Sequence, residues 1–104
     1  LDRALAQCPN PDRLVLVTHQ PAWHTKMDEL DPRRHAGNRA IRAFIDRAHP
    51  RLAVSGHLQE VIGTDRLGPT TLLNPGPAKN NRLAVVTLTD NDITVQLVGP
   101  DAEG

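Results

Sequence analysis

RLAVSGHLQE, residues 51 to 60, is the stretch on which the fold turns. The run Leu52-Ala53-Val54 is short, continuous and apolar, the pattern of a strand buried on both faces and typical of parallel sheet. It stops on Ser55-Gly56 and puts His57 straight after the glycine. Glycine lets the backbone turn sharply and lets a ligand approach closely. On spacing alone, two readings stand: a tight turn and nothing more, or a metal ligand carried to the edge of a sheet.

A second run of the same kind lies upstream. Leu14-Val15-Leu16-Val17 ends at Thr18-His19-Gln20-Pro21. Between the two runs, Asn38 follows Gly37 as a good helix cap. Ile41, Phe44, Ile45 and Ala48 then recur at helical spacing, with Arg39, Arg42, Asp46 and Arg47 elsewhere on the helix. The helix should end before Pro50. Residues 14 to 57 thus read as a strand, crossover helix, strand unit, whose strands are parallel and whose crossover is right-handed.

That topology brings His19 and His57 to the carboxyl ends of both strands, the edge at which open parallel sheets bind ligands. Neighbouring strands lie about 4.8 Å apart, so two imidazoles rising there can converge on one ion at roughly 2.0 to 2.1 Å per nitrogen. Two histidines alone do not hold a metal tightly, and further donors must come from elsewhere.

Around this unit the signals are coarser. Leu1, Ala4, Leu5 and Cys8 form an amphipathic stripe that Pro9-Asn10-Pro11-Asp12 would stop, so the chain, which begins without methionine, is expected to open inside a helix and to be incomplete, with Cys8 at a buried helix position. Residues 20 to 35 lack periodicity and read as a long loop with one helical turn, of the length that tends to be functional or mobile. Thr70-Thr71-Leu72-Leu73 reads as a strand closed by Asn74-Pro75-Gly76-Pro77. Leu83 to Leu88 and the alternating Ile93, Val95 and Leu97, joined through Asp90-Asn91-Asp92, read as an antiparallel hairpin. Residues 100 to 104 read as a frayed tail of one partial domain spanning 1 to 104.

Composition narrows the classes. With 12 Lys+Arg against 12 Asp+Glu and no basic block, the electrostatic footprint of a nucleic-acid binder is missing. No apolar run approaches the roughly 20 residues of a membrane span, and no signal-peptide pattern occurs, so the chain reads as soluble and cytoplasmic. The single cysteine excludes an internal disulfide framework and a Cys-rich zinc ribbon. Trp23 and Phe44 are the only aromatic residues of the Phe, Trp and Tyr class, so Leu, Ile, Val and Ala must build the core.

Taken in order, Leu14-Val15-Leu16-Val17-Thr18-His19-Gln20-Pro21, His35-Ala36-Gly37-Asn38 opening a helix, Ser55-Gly56-His57-Leu58-Gln59-Glu60 and Leu73-Asn74-Pro75-Gly76-Pro77 resemble the carboxyl-terminal half of a calcineurin-like metallophosphoesterase. The resemblance implies an α/β fold: half of a layered α/β/β/α sandwich, one βαβ unit followed by antiparallel strands. It implies a metal-dependent phosphoesterase that hydrolyses phosphomonoesters or phosphodiesters by a two-metal mechanism, with Mn, Fe or Zn as divalent ions. His19 and His57 would bind one ion. Gln59 stands where many members carry a histidine for the other, and a neutral amide is a weak donor.

The Asp-x-His, Gly-Asp and Gly-Asn-His segments, which family members supply from their amino-terminal half, do not occur in these residues. Two-metal chemistry needs such carboxylates. This chain by itself is therefore expected to be inactive, completed by a missing amino-terminal half or by self-association. The alternative is a non-catalytic, protein-binding scaffold of the same fold. His35 and Asn38, at a helix start that favours anions, are the candidate contacts for a phosphoester substrate, with packing or capping at the helix start as the other and favoured reading of His35. His24 and Trp23 read as pocket-entrance or solvent-exposed loop residues, His49 as a helix-end charge partner, and Glu60 as a solvated turn carboxylate. At Asn74-Pro75-Gly76 the expected role is backbone geometry.

Overall fold

The computed structural model describes residues 10, 13–31, 33–58 and 61–99. In chain order these form β1 (Val15–Val17), a 3-10 turn (Lys26–Asp28), β2 (Glu29–Asp31), β3 (Arg34–His35), helix α1 (Arg39–Ala48), β4 (Leu52–Val54), β5 (Gly63–Leu67), β6 (Thr70–Asn74), a second 3-10 turn (Ala78–Asn80), β7 (Leu83–Leu88) and β8 (Ile93–Val98). The expected amino-terminal helix with Cys8, and the tail from residue 100, lie outside the described residues.

A four-stranded sheet of order β1-β4-β6-β5 carries the fold. β1 and β4 run parallel with Val15 opposite Leu52 and Val17 opposite Val54, the arrangement the apolar runs predict. β4 pairs in parallel with β6, whereas β5 turns back antiparallel onto β6 through Gly68-Pro69. β5 escapes the sequence reading. Gly-Thr-Asp-Arg-Leu has one strongly apolar residue, and its strand character comes from the hydrogen bonds β6 offers, since strand propensity depends heavily on context.

Helix α1 starts after Asn38, whose own backbone is extended: its Oδ1 accepts the Ile41 N–H at 3.0 Å. It ends at His49, which takes a left-handed conformation (φ 50°) and donates its N–H to Ile45 O, with Pro50 beyond. His49 is thus a C-cap by backbone geometry, which its side-chain charge did not reveal. Phe44 and Ile45 are each 1% exposed, and Ile45 meets Leu72, Ala53, Ala22 and Met27 in the core. Leu16, Ala53 and Leu72 share one register level, so the sheet face they form is the one the helix covers.

The opposite face of β1 is open. Val15 is 39% and Val17 72% exposed, so this strand is not buried on both faces as its apolar run predicts. The reason is position: β1 is an edge strand of this sheet, and a continuous apolar run does not say whether both faces find a partner. Among the described residues β7 and β8 pair only with each other, as an antiparallel hairpin in full register from Leu83↔Val98 to Leu88↔Ile93. The Arg51 guanidinium, just before β4, donates to the carbonyls of Thr89 and Asp92 and ties the hairpin turn to the sheet.

Residues 20 to 35 are more ordered than a plain loop. The one helical turn is there, at Lys26–Asp28, but β2 and β3 add a small hairpin. Ala22 bridges to Asn38, and Gly37 lets the two segments touch. A Cβ on Gly37 would stand 2.7 Å from the Ala22 carbonyl oxygen and 2.8 Å from the Asp28 Cβ. Gly37→Ala is therefore expected to destabilise the fold by about 1–3 kcal/mol through overpacking, read as a lower urea midpoint at unchanged slope.

Candidate metal centre

The parallel ladder between β1 and β4 runs past the strands themselves. Thr18 N–H donates to Val54 O at 2.9 Å, and Gly56 N–H donates to His19 O at 3.1 Å. Two further steps of pairing thus hold the chain ends side by side, and they deliver His19 and His57 to one place. Their ring centroids are 4.7 Å apart with an interplanar angle of 62°.

The sharp turn is made by the histidine and not by the glycine before it. Gly56 has an ordinary φ, and a Cβ there would meet nothing within 4 Å. His57 carries φ 65°, and Leu58 N–H donates back to Gly56 O at 2.7 Å across it. An i to i+2 hydrogen bond around a residue of positive φ is the rarer, strained form of γ-turn. A side chain held left-handed costs roughly 1–2 kcal/mol. Such strain concentrates at functional sites, where the surrounding structure over-determines it.

The cleft beside the pair measures about 260 Å³ and is lined by His19, Ser55, Gly56, His57 and Leu58 on one side and Asn74, Pro75, Gly76 and Pro77 on the other. Asn74, 2% exposed, builds the second wall. Its Nδ2 donates to Leu58 O at 3.0 Å and Val61 O at 2.6 Å, and its Oδ1 accepts Gly76 N–H at 3.0 Å. Gly76 sits at φ 87°, where a Cβ would strike the Arg82 side chain at 2.7 Å. The Asn74 side chain ties Leu58 and Val61 to the end of β6, the geometric role its turn motif suggests.

Two imidazoles that share one ion at about 2.0–2.1 Å per nitrogen place their ring centres roughly 4.5–5.2 Å apart for right-angled to tetrahedral geometry. The observed 4.7 Å fits. Among the described residues no third histidine, cysteine or carboxylate joins them in a group able to hold an ion. Gln59 lies outside the described residues.

His35 and Asn38 do not line this cleft. Asn38 Nδ2 donates to Gln20 Oε1 at 2.9 Å, which links the start of α1 to the residue after His19. His35 belongs to a second cluster. Its Nδ1 is 2.7 Å from Asp28 Oδ1, and its ring stacks on His24 at 4.4 Å; Trp23 lies beyond His24 at 5.1 Å, with the Arg39 guanidinium over the indole at 4.4 Å.

Asp28 is fully buried, a residue that the sequence reading passed over. Its signal was the Thr25-x-x-Asp28 spacing of a capping box, which the structure confirms at the first 3-10 turn. Burial pushes the carboxyl up, but the His35 ring nitrogen and the N–H groups of Thr25, His24 and Gly37 outweigh it and hold the pKa below its ordinary value of 3.8. A depressed carboxylate stabilises the fold above its unfolded pKa, and that contribution is lost as pH falls through the folded value. Wild-type stability should thus decline as pH drops below about 4, with a shallower decline in Asp28→Asn, checked by denaturant unfolding across an acid series.

The γ-turn yields its own expectation. His57→Gly should be more stable than His57→Ala by about 1 kcal/mol, because glycine alone relieves the positive φ; paired urea titrations compare them.

A family model described as metallophosphoesterase, calcineurin superfamily, matches residues 3–98. An uncharacterised protein of Methanocaldococcus jannaschii is 33% identical over 72 residues, which cover 65% of this chain and 33% of that protein. A solved crystal structure superposes with a TM-score of 0.69 at 25% identity, over 90% of this chain and 36% of the other. The chain spans about a third of the length of each. Its mixed α/β sheet is of the same kind as that neighbour's, consistent with half of a metallophosphoesterase domain. The match over nearly all of its residues decides the family: the chain belongs to the calcineurin superfamily of metallophosphoesterases.

Proposed function

We propose that this chain is the metal-binding carboxyl half of a catalytic domain that hydrolyses phosphomonoesters or phosphodiesters by a two-metal mechanism. The observation that carries the reading is the His19–His57 pair, 4.7 Å apart at the ends of neighbouring parallel strands. His19 and His57 would hold one divalent ion, Mn, Fe or Zn, and Gln59 stands in the sequence where many family members carry a histidine for a second. The ions, when bound, supply an activated water and neutralise charge on the phosphoryl group.

The chain's own residues set the stage for that chemistry. The His19 O to Gly56 N–H bond and the strained turn at His57 hold the backbones of the two histidines side by side, and Asn74 ties Leu58 and Val61 to the end of β6. Leu58, 8% exposed, and the two prolines of the Asn74-Pro75-Gly76-Pro77 turn give the cleft an apolar floor that limits water. Asn38, which bonds Gln20 next to His19, and His35, which stands outside the cleft, are the proposed contacts for the substrate. The remaining ligands come from an amino-terminal half or from a second copy.

A second reading, a protein-binding scaffold of the same fold without metal, draws on the absence of a third ligand among the described residues. It also draws on the exposed Leu83, Val85, Leu88 and Leu97 of the β7–β8 hairpin. Metal content separates the two. In the complete protein, His57→Ala is expected to lose the ion held by His19 and at least 100-fold in phosphoesterase activity, about 2.7 kcal/mol of transition-state stabilisation or more. Elemental analysis and turnover of a nitrophenyl phosphate ester measure both. Full activity and full metal content in that variant would sink the phosphoesterase reading.

A further inference from the structure

Asp28 is a buried carboxylate with all its acceptor work assigned. Oδ1 takes the Thr25 N–H at 2.9 Å and faces His35 Nδ1 at 2.7 Å; Oδ2 takes the His24 N–H and the Gly37 N–H, each at 2.9 Å. Three of these donors are backbone groups of a tightly packed loop, so the carboxylate plane is set by the fold. An ionised carboxylate only accepts, so Nδ1 of His35 must carry the hydrogen. The tautomer follows: Nε2 is the ring's one uncommitted nitrogen, an acceptor while the ring is neutral and a donor once it is protonated.

The ring is also enclosed. The His35 side chain is 18% exposed, and His24, itself held at φ 61° by its N–H bond to Asp28, stacks on one face at 26°. A loop that needed only closing could do so with an apolar contact. Here a buried charge is spent on aiming one imidazole, close in sequence to a helix start where Asn38 bonds Gln20, the residue after His19.

We propose that Asp28 is a positioning residue for His35, and that Nε2 of His35, left over by the Nδ1–H to Asp28 contact, donates to an anionic phosphoryl oxygen of the substrate when it takes up a proton. This rests on reading the chain as part of a phosphoesterase. The aromatic and cationic series Arg39, Trp23 and His24 stands beside it, where it can flank the substrate's organic group.

The test needs no variant that might fail to fold. Long-range proton–nitrogen NMR of the ¹⁵N-histidine chain reports the tautomer of each ring, and a titration with inorganic phosphate reports which ring responds. The expected result is a Nδ1–H tautomer at His35 and a phosphate-dependent shift of its Nε2 signal. An Nε2–H tautomer overturns the positioning role. A Nδ1–H tautomer whose ring ignores phosphate overturns the substrate role and leaves Asp28 as a structural staple. The metal content of His57→Ala decides the phosphoesterase reading separately, so the two failures are distinguishable.

Discussion

The parallel pairing of β1 with β4 is the constraint on which the site rests, because it continues two residues beyond the strands. Once Thr18 is bonded to Val54 and Gly56 to His19, the backbones of His19 and His57 are held side by side. Parallel pairing of consecutive strands requires a crossover, and α1 supplies it, capped by Asn38 and closed by the left-handed His49. The apolar side of that helix covers Leu16, Ala53 and Leu72, so the core and the ligand edge are consequences of the same three-residue register.

Two polar side chains do work that apolar packing cannot. Asn74 bridges three backbone groups around the cleft, and Asp28 gathers four donors under the loop before α1. Each is buried and each is fully satisfied, in a structure where no buried side-chain nitrogen or oxygen of the described residues lacks a partner. Removing either would strand donors or acceptors in the interior, at about 1–3 kcal/mol per orphaned group. The order thus secured allows one strained residue, His57, to be held at the mouth of the cleft.

The apolar surface follows from the same architecture. Val15 and Val17 point away from α1 on the edge strand, and the β7–β8 hairpin shows Leu83, Val85, Leu88 and Leu97 to the outside. Together these six are the exposed large apolar side chains of the described residues.

Local chemistry was enough to read much of this molecule from its residues alone. The Asn38 cap, the helical spacing of Ile41, Phe44, Ile45 and Ala48, the two apolar runs and the carboxyl-terminal hairpin are all short-range signals, and all are found. The convergence of His19 with His57 was legible too, because one crossover leaves parallel strands few alternatives. Only the tertiary structure decided the rest. β5 is a strand because β6 offers it a ladder, and Val17 is exposed because β1 lies at an edge. The turn after β4 falls on His57 because Gly56 is already engaged with His19 O. Asp28 meets His35 across a hairpin whose strands are too short to show periodicity. In each case the deciding partner is distant along the chain, or the element too brief to carry a pattern, so local propensity could not specify the outcome.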